Sequence, residues 1–199
     1  MKLPISDRLL ACAGFVHPGD RVADIGCDHG YLSIHLLLSA VRNAEKYGVR
    51  DKMEFYLSDG VRNIPRDFDS MVCAGMGGDT MISILEAAPW LKDSKYRLIL
   101  QCQSKTPMLR QYLSDSGYTI IKESVLRDGR FLYTIMEVTF APDMSRLTPA
   151  QCYFPQHLLS GEVAPYHQWV INGLKIATEH QNDPEKEEIL QELTKYDYC

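Results

Sequence analysis

A chain of 199 residues, 45% of them apolar, can bury one sizeable core and still carry a small appendage. The formal net charge of −5 excludes a generally basic coat for nucleic acid, so any such contact must rest on a local patch. No run approaches the ~20 apolar residues that span a bilayer. Asp7 and Arg8 interrupt the N-terminal apolar pattern, which therefore does not read as a signal peptide.

Ser6 is placed to cap a short amphipathic helix with Ile5, Leu9, Leu10 and Ala13 toward the core. Pro18-Gly19-Asp20 turns the chain into a first strand, Val22 to Ile25, and helical spacing resumes from about His29 to Leu38. Met53 to Leu57 reads as a short strand ending in Ser58-Asp59-Gly60, and Met71 to Ala74 as another ending in Gly75-Met76-Gly77-Gly78 before a helix to about Ala88. Arg97 to Gln101 is an apolar run of the kind found in buried parallel strands. Thr106 then caps a helix opened by Pro107 and closed by Gly117. Tyr118–Val125 and Phe131–Phe140 flank Arg127-Asp128-Gly129-Arg130 and predict a terminal β-hairpin. Beyond Pro142, residues 165–182 and 184–196 predict two helices, with Asp183-Pro184 as cap and first residue of the second. Ile189 and Leu193 line one face; Trp169, Leu174 and Ile176 lie on the other helix. The expected fold is α/β: a Rossmann-like class I methyltransferase sheet with a terminal β-hairpin over 1–142, and a C-terminal helical hairpin over 143–199. Six cysteines (12, 27, 73, 102, 152 and 199) lie mainly in apolar runs without a Cys-x-x-Cys pair. They read as reduced, buried thiols of a cytoplasmic protein, with no zinc site or other metal.

The turn after the first strand, Ala-Asp-Ile-Gly-Cys-Asp-His-Gly-Tyr at 23–31, is the most informative stretch. Doubly wound α/β proteins hold small cofactors at the carboxyl end of the first strand. The next glycine after Gly26 is Gly30, so the Gly-x-Gly-x-x-Gly spacing of dinucleotide binders is missing. Fewer glycines and more acid suit a cofactor without a pyrophosphate, and S-adenosyl-L-methionine is the candidate. A Rossmann unit also needs a second strand ending in an acid for the ribose hydroxyls. Here Leu36-Leu37-Leu38-Ser39 runs directly into Ala40-Val41-Arg42-Asn43 of the next amphipathic segment. The expectation is that the strand and its acid are missing between Ser39 and Ala40.

Several motifs occur together in one order. They are Ser-Asp-Arg-Leu at 6–9, Asp24-Ile25-Gly26-Cys27-Asp28-His29, Ala40-Val41-Arg42-Asn43-Ala44, Asp59-Gly60, Ala74-Gly75-Met76-Gly77-Gly78 and Leu98-Ile99-Leu100-Gln101. In this the chain resembles the bacterial tRNA (adenine(22)-N1)-methyltransferases, over about residues 5–140, with Gly30 and Ser33 where that family commonly has Ala and Pro. The helical tail is similar to the family's C-terminal extension. The resemblance implies an S-adenosylmethionine-dependent enzyme that methylates N1 of an adenosine in tRNA, acting in the cytoplasm. No protein partner and no membrane are implied.

The resemblance also implies residue roles. Asp24 and Gly26 match the first methyltransferase motif, where the acid orients the cofactor's amino-acid end; a capped tight turn is the alternative. Asp59, followed by Gly60, matches the acid that accepts from the adenine amine, against an ordinary Asp-Gly turn. Ala74, Gly75 and Met76 would line the cofactor, Met76 equally serving as core filler. Asp28 is the catalytic candidate, a carboxylate placed to offset charge on a methylated purine, and it equally reads as the N-cap of the following helix. His29, Tyr31, Gly77, Gly78, Gln101 and Gln103 are candidate substrate contacts. Amine methyltransferases usually carry Asn/Asp-Pro-Pro-aromatic where this chain has Ala-Gly-Met-Gly-Gly, which favours a ring nitrogen as acceptor. Arg62, Arg66, Lys92, Lys95, Lys105, Arg110, Arg127 and Arg130 are the cations available to RNA. The alternatives are a small-molecule methyltransferase of the same fold, favoured by the acidic charge, and a non-catalytic cofactor-binding scaffold.

Overall fold

The computed structural model describes residues 6–26, 54, 56–144, 146–180 and 183–195, side-chain placement at Gln156 excepted. A six-stranded sheet has the order β1-β2-β3-β5-β4-β6. Its strands are β1 (Val22–Ile25), β2 (Ser70–Gly77), β3 (Arg97–Ser104), β4 (Tyr118–Asp128), β5 (Phe131–Phe140) and β6 (Leu159–Gly161). β1, β2 and β3 run parallel; β5 is antiparallel to both β3 and β4, so β4 ends at the same edge of the sheet as β3.

Period-two alternation sorts side chains onto two faces. On one, Met71, Cys73, Leu98, Leu100, Met136 and Val138 meet Met81 and Leu85 of α2 (Gly78–Glu86) and Leu109 and Leu113 of α3 (Thr106–Asp115). On the other, Val72, Ile99 and Ile135 meet Cys12 of α1 (Asp7–Ala13). Leu98, Ile99 and Leu100 are all buried, each contributing about 1.5–3 kcal/mol by leaving water, and this pins the register of the central strand.

A separate apolar cluster joins Val125 of β4 to the C-terminal helices α4 (Pro149–Tyr153), α5 (Val163–His180) and α6 (Pro184–Leu193). Asp183 caps α6 by accepting from the Lys186 amide at 3.2 Å, as its sequence predicts. Arg110 of α3 ties this cluster to the sheet. It donates through Nε and Nη2 to Glu123 at 3.1 and 2.6 Å, to the Cys152 and Tyr153 carbonyls at 2.7 and 3.0 Å, and to the Tyr166 hydroxyl at 3.1 Å.

Several expectations need correction. α1 turns Cys12 inward and leaves Leu9 and Leu10 exposed, because the side carrying Arg8 and Cys12, one turn apart, faces the sheet. The cap of α3 is Lys105, at φ +58°, and Thr106 is its first residue rather than its cap. On α5 the buried stripe is Tyr166, Val170, Ile171 and Leu174, while Trp169 and Ile176 are both 59% exposed; the stripe follows the i, i+4 rows that face α6 and β4. Arg110 is fully buried and unavailable to RNA, since Glu123 and two carbonyls use its donors. Described residues 54 and 56–58 form no strand: Tyr56 and Leu57 are exposed, without the ladder partner a strand requires. The expected 29–38 helix and the Ser39–Ala40 junction lie outside the described residues. Among the described residues no helix is long and apolar enough to cross a membrane.

Candidate active site

The carboxyl ends of β1, β2 and β3 lie side by side, with Asp24 beside Val72, Ile25 beside Cys73 and Ala74 beside Gln101. Asp24 is exposed, yet surrounding protein strips enough water from its carboxyl to hold its pKa above the usual carboxylate range. Its charge also reaches the neighbouring thiol of Cys73, which burial first and Asp24 second push up to about 12. Next to it, a Cβ on Gly26 would meet nothing within 4 Å among the described residues, so none of them covers the backbone beside the acid.

β2 breaks register with β3 between Ala74 and Gly77, a bulge centred on Gly75 at φ +82°. The Gly75 amide donates to Gln101 Oε1 at 3.1 Å, while Gln101 Nε2 donates to the Cys102 carbonyl at 3.1 Å. A Cβ on Gly77 would stand 2.9 Å from Ser104 Oγ, and one on Gly78 2.8 Å from the Lys105 carbonyl. Glycines here let β2 and α2 approach the end of β3. The last two residues of the Ala-Gly-Met-Gly-Gly motif therefore have a packing requirement of their own.

The remaining candidates fall less tightly. Met76 is buried, with Sδ 3.6 Å from Cys73 Sγ, and packs as core. Asp59 is 85% exposed and pairs with Arg62 at 3.4 Å; Gly60, at φ +56°, closes that turn against Ile84. Gln103 lies 3.6 Å from where a Gly75 Cβ would stand. Asp28, His29 and Tyr31 lie outside the described residues.

Sequence reasoning missed Arg8. From α1 it reaches Asp128 at the end of β4 (Nε to Oδ2, 2.8 Å) and Gln101 Oε1 (3.4 Å), with its guanidinium 4.8 Å above the Tyr133 ring. The only signal was the Ser-Asp-Arg-Leu motif, which names the residue without its partners. Among the described residues no group of three His, Cys, Asp or Glu side chains could hold a metal ion.

This layout of a partly desolvated carboxylate, a glycine that no described residue covers and a side-chain-free bulge on the adjacent strand fits S-adenosylmethionine: the acid can face a cation, and backbone can approach closely. The family model described as a methyltransferase domain matches residues 5–41 and 36–136. The chain belongs to the methyltransferase domain family. The relatives of this methyltransferase-family chain include the tRNA (adenine(22)-N(1))-methyltransferase of Bacillus subtilis, 30% identical over 154 residues, covering 68% of this chain and 65% of that protein. The chain thus spans just under two thirds of that relative's length. A candidate tRNA methyltransferase of Mycoplasma pneumoniae is 32% identical, covering 69% and 72%. Among solved structures, Sp1610 of Streptococcus pneumoniae, a candidate tRNA (m1A22) methyltransferase in complex with S-adenosyl-L-methionine, aligns with a TM-score of 0.76. It is 28% identical and covers 95% of this chain and 99% of that one. The family resemblance read from the motifs and the class I methyltransferase fold are both borne out.

The comparisons also bear on residues 36–41, which the family model matches twice. The matched 68% of this chain is about 135 of 199 residues, against 154 in the alignment with the Bacillus protein, a difference of about 19 positions. The overlap falls at the Ser39–Ala40 junction, where the sequence reads as lacking a strand.

Proposed function

We propose that this protein transfers the methyl group of S-adenosylmethionine to N1 of the adenosine at position 22 of tRNA. The observation that carries the proposal is the meeting of Asp24 and Gly26, whose backbone no described residue covers, with the Gly75 bulge, at the ends of two adjacent parallel strands. When bound, the cofactor supplies an electrophilic methyl group on a sulfonium. Asp24, short of water, gains a counter-charge from a cationic amino-acid end. Gly26 and Gly75 leave room for ligand and base against the backbone. Gln101 has both ends of its amide engaged, and so sets the shape of the bulge rather than gripping the base. Asp28, four residues beyond Asp24 in sequence, is assigned to the purine, where a carboxylate would lower the cost of the positive charge left on the ring when N1 takes the methyl group and the methyl–sulfur bond breaks. Asp59 is assigned to the cofactor's adenine amine, for which its exposed carboxylate keeps lone pairs available. Residues 1–142 would carry the chemistry and 143–199 a supporting helical unit, and a tRNA substrate would place the protein in the cytoplasm.

The test offers isotopically labelled S-adenosylmethionine to tRNA, rRNA and a metabolite extract, followed by mass spectrometry of the digested nucleosides. Label in 1-methyladenosine from tRNA is the expected result. Label in a small molecule selects a metabolite methyltransferase instead, and cofactor binding without transfer to anything selects a scaffold.

A further inference from the structure

The β4–β5 hairpin ends at the same edge of the sheet as the Gly75 bulge, and Arg8 bridges the two through Asp128 and Gln101. Asp128 and Phe131 form the last pair of the ladder, so only Gly129, at φ +60°, and Arg130 make the turn. A two-residue turn closed by an unbroken run of pairs from Lys122–Glu137 to Asp128–Phe131, with an ion pair at its base, is stiff. At its tip Phe131 is 52% exposed, an unusual position for a large aromatic on a rigid turn. The Arg130 guanidinium lies 4.9 Å from the Phe131 ring centroid, and Arg130 forms no ion pair among the described residues. Tyr133, two residues on and on the same face, lies 6.2 Å from Phe131 and carries Arg8 on its ring.

We infer that this tip is a landing surface for the RNA strand flanking the target nucleotide, with Phe131 stacking on an unpaired base and Arg130 contacting phosphate. Aromatic faces alternating with guanidinium groups suit single-stranded or extruded nucleotides, because every base offers a π-face and every linkage a charge. In a chain of net charge −5, a polyanion needs a local cationic foothold, and this one adjoins the site. A preformed turn also pays little ordering entropy on binding. The inference rests on the RNA-methylating reading above.

The experiment uses the full chain, an unmodified tRNA transcript with adenosine at position 22, and fluorescence anisotropy over a salt series. Phe131→Ala is expected to weaken RNA binding about ten-fold without changing the salt dependence, and Phe131→Trp to restore it. Arg130→Ala is expected to weaken binding and lower the slope of log affinity against log salt by about 0.7–0.9. Calorimetric titration with S-adenosylmethionine should be unchanged in all three variants, since none lies at the ends of β1 or β2. Wild-type RNA affinity in both alanine variants overturns the hairpin assignment while leaving RNA methylation standing. A wild type that is dimeric by size-exclusion chromatography and becomes monomeric in Phe131→Ala, with RNA binding intact, also overturns it, making the tip a contact between copies. Failure of the wild type to bind tRNA overturns both readings together.

Discussion

The Asp24 carboxyl is held above its ordinary value of 3.8 because protein displaces its water. A carboxyl raised in the folded state binds its proton more tightly there than in the unfolded chain. Its contribution to stability is therefore lost as pH rises from 3.8 through the folded-state value, and at neutral pH the ionised group is a net cost. Asp24→Asn should raise the melting temperature of the cofactor-free protein at pH 7, by an amount that shrinks as pH falls toward 4, and should abolish cofactor binding in calorimetry. Cofactor binding at wild-type strength would remove Asp24 from the site. Asp28→Ala should abolish methyl transfer while S-adenosylmethionine affinity stays within a few-fold. Retained turnover in that variant would exclude Asp28 from catalysis. Asp24 and Gly26 were legible as the end of a strand because the apolar run Val22–Ile25 and the glycine after it are adjacent in sequence. Arg8 was not, because its partners Gln101 and Asp128 are 93 and 120 residues away.

Among elements, the joint between α3, β4 and α5 shows how the C-terminal helices attach. Loss of water works against the Arg110 charge, but Glu123 and Tyr166 outweigh it, and the guanidinium is held more firmly protonated than usual. Removing one partner leaves an uncompensated charge at zero exposure. Arg110→Met should therefore cost about 3–5 kcal/mol in urea unfolding, whereas Arg110→Met combined with Glu123→Leu should recover most of that loss. If single and double variants lose the same amount, the pair is not coupled. From sequence, Arg110 sits in an amphipathic helix between Leu109 and Leu113 and reads as a surface cation. Periodicity reports which way a residue faces within its own helix, not whether another helix later covers that side.

Across the whole molecule, the described cysteines share one environment. Cys12, Cys73, Cys102 and Cys152 are free and buried. Burial is the largest cause raising their pKa values, to about 11 for Cys12, about 12 for Cys73 and about 11 for Cys152, against 9.0 unperturbed. The folded state thus keeps protons that the unfolded chain releases above pH 9, so stability should fall progressively from pH 9 toward 11–12. Urea midpoints measured across that range check it, and a flat profile contradicts it. At pH 8, iodoacetamide should label these four thiols only after denaturant is added, by peptide mapping.

The amino-acid sequence alone determined the β1 strand, the order of β2, α2, β3 and α3, the hairpin turn at Gly129 and the Asp183 cap. Each depends on residues within a few positions of one another, where backbone sterics and periodicity act directly. Tertiary structure alone decided that Arg110 is buried, that Leu9 and Leu10 face outward, that Gln101 is engaged with the Gly75 bulge, and that the hairpin tip stands beside the active-site edge. Those outcomes depend on which distant surfaces displace water from one another, and a linear pattern carries no record of that.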